Sequence, residues 1–147
     1  MKYATISLSV PVVREATGPG MSSPADIAHQ CLDMRDLGQE VFAVFTLNQK
    51  HTIIERHIIS VGTLTEALVH PRDVFRPAIA DNAAAVAVAI VLVHGHPSGD
   101  PTPSRADRLL TQRLTEAANL LGIRLLDHLV IGRSTWVSVL NGDQGEL

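Results

Sequence analysis

His94 and His96 stand one residue apart in the stretch VHGHPSGDPTPSRAD (93–107), and Asp107 follows the second histidine by eleven positions. On a β-strand, residues i and i+2 point to the same face, so two imidazoles at this spacing converge. Imidazole nitrogens and carboxylate oxygens both ligate zinc, at about 2.0–2.2 Å, and a catalytic zinc takes three protein ligands and keeps one position open. The turn PSGDPTP reverses the chain and lets the first turn of a following helix aim Asp107 back at the strand end. The chemistry such a trio supports is metal-assisted hydrolysis. Each piece also has a purely structural explanation. Ser104-x-x-Asp107 has the form of a helix capping box, a lone His-x-His pair is often incidental, and Pro and Gly are ordinary turn residues. Capping and ligation are compatible in one aspartate. Two unpartnered imidazoles at the end of a buried strand, by contrast, would cost roughly 1–3 kcal/mol each.

The trio needs a strand, a loop and a helix in fixed relation, and the surrounding sequence supplies candidates for all three. The run AAAVAVAIVLV (83–93) mixes alanine with β-branched residues; its second half reads as a central strand, and its first half fits no single assignment. Ser104 to Leu121 is the clearest helix, with Leu110, Leu114, Ala117 and Leu121 at three- and four-residue spacing and Gly122 as its stop. VFAVFTLN (41–48) is apolar throughout, as expected of a strand buried on both faces, and HTIIERHIIS (51–60) is its expected hairpin partner across Asn48-Gln49-Lys50. Ser23-Pro24-Ala25-Asp26 opens a helix predicted to carry Ile27, Ala28, Cys31 and Leu32 inward and to stop at Gly38. A second helix is predicted from Pro71, burying Val74, Phe75, Ala78 and Ile79 despite Pro77. IRLLDHLVIG and STWVSVL read as closing strands, and Trp136 as core. Strands alternating with helices, without repeats, predict one α/β domain.

Composition narrows the functional classes. The chain has 147 residues, enough for one domain with a real core, and 46% of them are hydrophobic, which excludes a disordered or collagen-like chain. One cysteine, Cys31, excludes an internal disulfide and a multi-cysteine zinc site. The longest apolar stretch is shorter than the ~20 residues a bilayer requires, and residues 1–13 lack a signal-peptide pattern, so a cytoplasmic protein is expected. Twelve basic against fifteen acidic residues leave a net charge of −3, with dispersed arginines and few aromatics. Nucleic-acid binding normally shows as a basic surplus, so DNA binding is only weakly supported. Oligomeric state is not legible.

His94-x-His96, ten residues and then Asp107, with Ser104 three residues before it, resembles the JAMM motif of MPN-domain metalloproteases. The longer string HGHPSGDPTPSRAD resembles the RadC branch of that family, whose strand-end pair is usually His-Asn-His; here Gly95 stands between the histidines. DLGQEVF (36–42), VGTLTEALVHPRDVFRPAI (61–79) and LLGIRLLDHLVIG (120–132) are similar to RadC segments as well. The resemblance implies a single MPN (JAB/JAMM) domain over residues 23–147, behind an arm at 1–22. It implies a mixed central sheet flanked by helices, in a cytidine deaminase-like architecture. It also implies a Zn²⁺ ion held by His94, His96 and Asp107, with Glu40 as general base on the zinc-bound water and Ser104 stabilising the oxyanion. Without the resemblance, Glu40 reads as a solvated charge at a helix–strand junction. Ligand type favours zinc over iron or manganese. Asp127-His128 matches a family Asp-His pair and reads as structural or as a support behind the ligands. His29, His51, His57 and His70 read as surface or satisfied histidines.

Three functions follow in order. The first is a zinc-dependent metallohydrolase of the RadC/JAMM type cutting a peptide or isopeptide bond in a protein or peptide substrate. The second is a DNA-repair or mobile-element-associated RadC-like module acting through DNA or protein partners. Full-length RadC proteins carry an N-terminal helix-hairpin-helix region, and 147 residues leave no room to expect one here. The third is an interaction module with a purely structural metal; a structural zinc normally has four protein ligands, and three are named.

Overall fold

A computed structural model of the chain describes residues 15–62, 69–81 and 89–147. The first half of the Ala/Val run and most of the predicted N-terminal arm lie outside these residues. The element order is α1 (Pro24–His29), a 3-10 turn (Leu32–Met34), β1 (Val41–Leu47), β2 (Ile53–Val61), α2 (Pro71–Asp81), β3 (Ala89–Gly95), α3 (Arg105–Leu121), β4 (Arg124–Ile131), β5 (Thr135–Ser138) and β6 (Gln144–Glu146). The strands form one six-stranded sheet in the order β2-β1-β3-β4-β5-β6. Only β3 and β4 run parallel, with α3 as the crossover between them; the other pairs are antiparallel. The architecture is a mixed α/β sheet flanked by helices, as the sequence predicts. Among the described residues no helix is long and apolar enough to cross a membrane.

β1 explains why the sheet needs covering on both faces. All seven of its residues are buried. Alternation sends Val41, Ala43, Phe45 and Leu47 into a core shared with Ile27, Ala28, Cys31, Leu129, Ile131 and Trp136. Phe42 and Val44 go to the opposite face, against Val74, Phe75 and Ala78 of α2 and Leu110, Leu114 and Ala118 of α3. Burying each large side chain of this kind stabilises by about 1.5–3 kcal/mol. The face under α2 and α3 is the one that carries His94, because His94 lies opposite Phe42 in the β1–β3 register.

Several local expectations differ from the structure. α1 ends at His29 with Gln30 as its cap, and the chain then tightens into the 3-10 turn instead of continuing to Gly38. Leu32 therefore turns outward, 42% exposed, while Cys31 stays fully buried. Apolar spacing alone cannot register that break, which follows from the 3-10 turn packing across the end of β3. Ile79 and Leu121 are each 49% exposed because they lie beside the inward stripes, which run through Val74, Phe75, Ala78 and Asp81 in α2 and through Asp107, Leu110, Thr111, Leu114 and Ala118 in α3. Gly122 caps α3 in the left-handed conformation (φ 69°), as glycine there predicts. β6 has no periodic signal in the sequence. Its Gly145 crosses the Trp136 ring so closely that a Cβ would lie 2.8 Å from the indole nitrogen.

Candidate metal centre

β3 delivers His94 and ends at Gly95. The backbone N–H of His96 then donates to the Ile131 carbonyl at 3.2 Å, so pairing with β4 extends one residue past the strand and holds His96 on the face of His94. Gly95 matters here. A Cβ at that position would lie 3.1 Å from the Met34 carbonyl oxygen, so the 3-10 turn is seated directly against the strand end. The loop turns back through Gly99 (φ 80°), and α3 starts at Ser104.

Asp107, in the first turn of α3, closes the cluster. His94, His96 and Asp107 each offer a ligand atom, and those atoms all lie within 4.8 Å of one another. The His94 and His96 Nε2 atoms are 3.0 Å apart, and Asp107 places Oδ1 3.2 Å from His94 Nε2 and Oδ2 3.4 Å from His96 Nε2. Both Nδ1 atoms face elsewhere. His96 Nδ1 lies 2.8 Å from the Asp100 carbonyl, which can only accept, so Nδ1 carries the proton and Nε2 is the nitrogen available to a metal. His94 Nδ1 lies 2.7 Å from His128 Nε2. Two imidazoles and a carboxylate directed at one point form a donor set that could hold a divalent metal.

Asp107 also performs the capping role. Its Oδ2 accepts from the Ser104 backbone N–H at 2.7 Å, and the Ser104 hydroxyl accepts from its N–H at 3.0 Å. The capping contacts and the approach to His94 and His96 therefore coexist in one side chain. Burial works to raise the Asp107 pKa, but the close approach of the His94 and His96 rings and the hydrogen bond from the Ser104 N–H hold it well below the ordinary carboxylate range. The hydrogen bond to Asp107 raises the His96 pKa against the opposing effect of burial, and the Glu40 charge adds a little to the rise. His128 is fully buried, and burial is the main cause that holds its pKa well below that of a free histidine, with the neighbouring His94 ring acting in the same direction.

The two residues expected to do chemistry beside the metal lie around this cluster in different ways. Ser104 is exposed at the start of α3, with its oxygen lone pair engaged by the cap and its proton still able to donate. Glu40 precedes β1 and lines a cleft with Gly38, Gln39, Gly62 and Pro97, next to His96 in the chain. Its backbone carbonyl accepts from Gly62 N–H at 2.8 Å. The sequence reading missed Phe42 and Thr111. Phe42 stacks on His94 (ring centroids 6.1 Å apart, planes 18° apart) and meets His128 edge-on at 5.7 Å. Thr111 lies one helical turn after Asp107, and that i+4 spacing was the available signal. Of the other histidines, His57 is satisfied by Asp81 at 2.7 Å.

Asp127, the residue before His128, is a buried carboxylate behind the site. Its Oδ1 accepts from the Ser138 hydroxyl and the His128 N–H, each at 2.7 Å. Burial raises its pKa in spite of those bonds. A raised folded-state pKa means that the protein loses stability as pH rises from the ordinary aspartate range (about 3.9) through that raised value. Asp127→Asn, which cannot ionise, is therefore expected to gain stability relative to the parent across that window and hold the gain above it. Urea unfolding at a series of pH values checks the sign; a difference independent of pH would show that Asp127 is not the group responsible.

Gly132, just after β4, guards the loop. A Cβ there would lie 2.6 Å from the Gly99 carbonyl oxygen, 2.9 Å from Pro101 Cδ and 3.0 Å from the Thr135 carbonyl oxygen. Two of these three atoms are backbone, so Gly132→Ala must move the loop whose Asp100 carbonyl orients His96. Overpacking of this kind costs about 1–3 kcal/mol. Both a lower Tm and weaker metal affinity are expected, read by thermal melting and chelator competition.

Residues 21–145 match the family described as the RadC-like JAB domain. A UPF0758 protein of Clostridium perfringens is 45% identical over 132 residues, covering 89% of this chain and 56% of its own length. UPF0758 proteins of Caldanaerobacter subterraneus and a Geobacillus species are 48% and 49% identical over 120 and 118 residues, covering 81% and 80% of this chain. This chain spans about half the length of these relatives. With that match spanning nearly all of the described sheet and the His94, His96 and Asp107 cluster, the chain belongs to the RadC-like JAB domain family.

Proposed function

We propose that this domain is a zinc-dependent metallohydrolase of the JAMM type, cutting a peptide or isopeptide bond. The observation that supports it most is the three-ligand cluster with its Nε2 atoms and carboxylate converging on one point and an accessible cleft beside it. Three protein ligands, not four, are the number that catalytic zinc sites use. When bound, zinc would supply Lewis acidity and lower the pKa of a coordinated water to about 7.

The protein's own groups divide the remaining work. His94, His96 and Asp107 would hold the metal. Glu40 accepts the proton of the attacking water and passes it to the leaving amine, the task of a general base that turns general acid. The Ser104 hydroxyl donates to the oxygen that gains negative charge as the carbonyl becomes tetrahedral. Its acceptor role in the cap leaves that proton available. A protein or peptide is the substrate class that this chemistry implies.

The test is hydrolysis by the zinc-loaded protein of a panel of peptides and lysine-linked isopeptides, with newly formed amino groups counted. Cleavage that disappears with Asp107→Asn supports the reading. No cleavage from a protein shown to carry stoichiometric zinc, together with a salt-sensitive shift of DNA, would favour a DNA-associated module instead.

A further inference from the structure

His94 is backed by an unusual partner. A metal-ligating histidine generally donates its second N–H to a carboxylate, a carbonyl or water, groups that settle the tautomer on their own. Here the partner is another imidazole, the fully buried His128, whose two nitrogens can each be donor or acceptor. The His94–His128 contact by itself therefore permits two arrangements. In one, His94 Nδ1–H donates to His128 Nε2 and His94 Nε2 keeps a lone pair for the metal. In the other, His128 Nε2–H donates to His94 Nδ1, and His94 Nε2 must carry a proton into the cluster. Only the first is compatible with ligation.

The choice passes to the far side of His128. Its Nδ1 lies 2.6 Å from the Thr111 hydroxyl, and that hydroxyl lies 2.7 Å from the Asp107 backbone carbonyl. A hydroxyl has one proton. The carbonyl can only accept, and a threonine hydroxyl within a helix readily bonds the carbonyl four residues back. With the proton given to Asp107, the Thr111 oxygen can only accept from His128, so His128 Nδ1 carries the hydrogen and Nε2 the lone pair. Every atom in this line is buried: His94 is 1% exposed, Thr111 3% and His128 0%.

We propose that Thr111 and His128 are positioning residues, a relay that fixes the tautomer of His94 so that its Nε2 lone pair faces the metal position. The circuit is closed on one residue. Asp107 supplies a carboxylate to the metal, and its backbone carbonyl orients Thr111, which orients His128, which orients His94. Phe42, stacked on His94 and edge-on to His128, limits how either ring can tilt. This inference rests on the metal-site reading above, but it assigns work to two residues that touch no ligand position.

The experiment measures zinc affinity by chelator competition for the parent, Thr111→Val, Thr111→Ser and His128→Leu, alongside nitrogen NMR of the imidazoles with and without zinc. Loss of such a supporting partner typically lowers metal affinity by 10–100-fold. Thr111→Val, which keeps the shape and loses the oxygen, is expected to fall in that range, with His128→Leu falling as far or further. Thr111→Ser should stay within about threefold of the parent. The zinc-loaded parent should show both His94 and His128 protonated on Nδ1. Parent-like affinity in a folded Thr111→Val, or His94 protonated on Nε2 in the loaded parent, overturns the relay while leaving the metal site intact. Failure of the parent to bind zinc at all overturns the underlying reading instead. Should the variants not fold, the tautomers of the parent decide the matter.

Discussion

His96→Ala is expected to lower zinc affinity by about 10²–10³-fold while leaving the metal-free protein folded. A four-ligand structural zinc contributes about 10–16 kcal/mol, so one ligand carries on the order of 3–4 kcal/mol, and each 1.4 kcal/mol is tenfold. His96 is the ligand whose removal disturbs least. It stands past the end of β3 with 13% of its side chain exposed, and its Nδ1 contact is to an exposed loop carbonyl. Asp107 gives the informative contrast. Asp107→Asn keeps an oxygen for the Ser104 N–H but loses the anionic ligand, so affinity falls with little change in stability. Asp107→Ala loses the cap as well, which costs about 1 kcal/mol more. Chelator competition and urea unfolding on the same three proteins separate ligation from capping. Equal affinity in His96→Ala and the parent would mean that zinc is held elsewhere.

Helical spacing made α3 legible, and an unbroken apolar run made β1 legible, because α3 buries one face and β1 both. The ligand trio was legible for a different reason. Strand spacing, a turn of ordinary chemistry and a helix cap are all local, and together they place three side chains without any knowledge of the rest of the fold. What local pattern could not show are features set by tertiary contact. The early end of α1 and the exposure of Leu32 follow from the 3-10 turn lying against Gly95, two segments sixty residues apart in the chain. Ile79 was expected inside from its apolar spacing, yet the buried face of α2 passes from Ala78 to Asp81 and leaves Ile79 49% exposed. His128 was readable as a support behind the ligands, but the hydroxyl that orients it could not be identified until β4 and α3 were packed together.

Glu40→Gln is the substitution expected to separate hydrolysis from metal binding. General-base assistance contributes typically 10²–10⁴-fold, or about 3–5 kcal/mol of barrier. A rate loss of that order is expected on any substrate the parent cleaves, with zinc affinity within about threefold of the parent. The glutamine matches the glutamate in size, and the backbone hydrogen bond from Gly62 N–H to residue 40 does not depend on the side chain. Ser104→Ala makes a different pattern. It removes an oxyanion donor, a loss of about 10²–10³-fold, and it also removes the acceptor for the Asp107 N–H, so the rate loss comes with about 1 kcal/mol of lost stability. The two variants thus share a kinetic defect and differ in their unfolding curves. Parent-like turnover in a zinc-loaded Glu40→Gln would remove Glu40 from the chemistry. It would leave Glu40 as a charge beside His96, which is all that its electrostatic contact with that histidine requires.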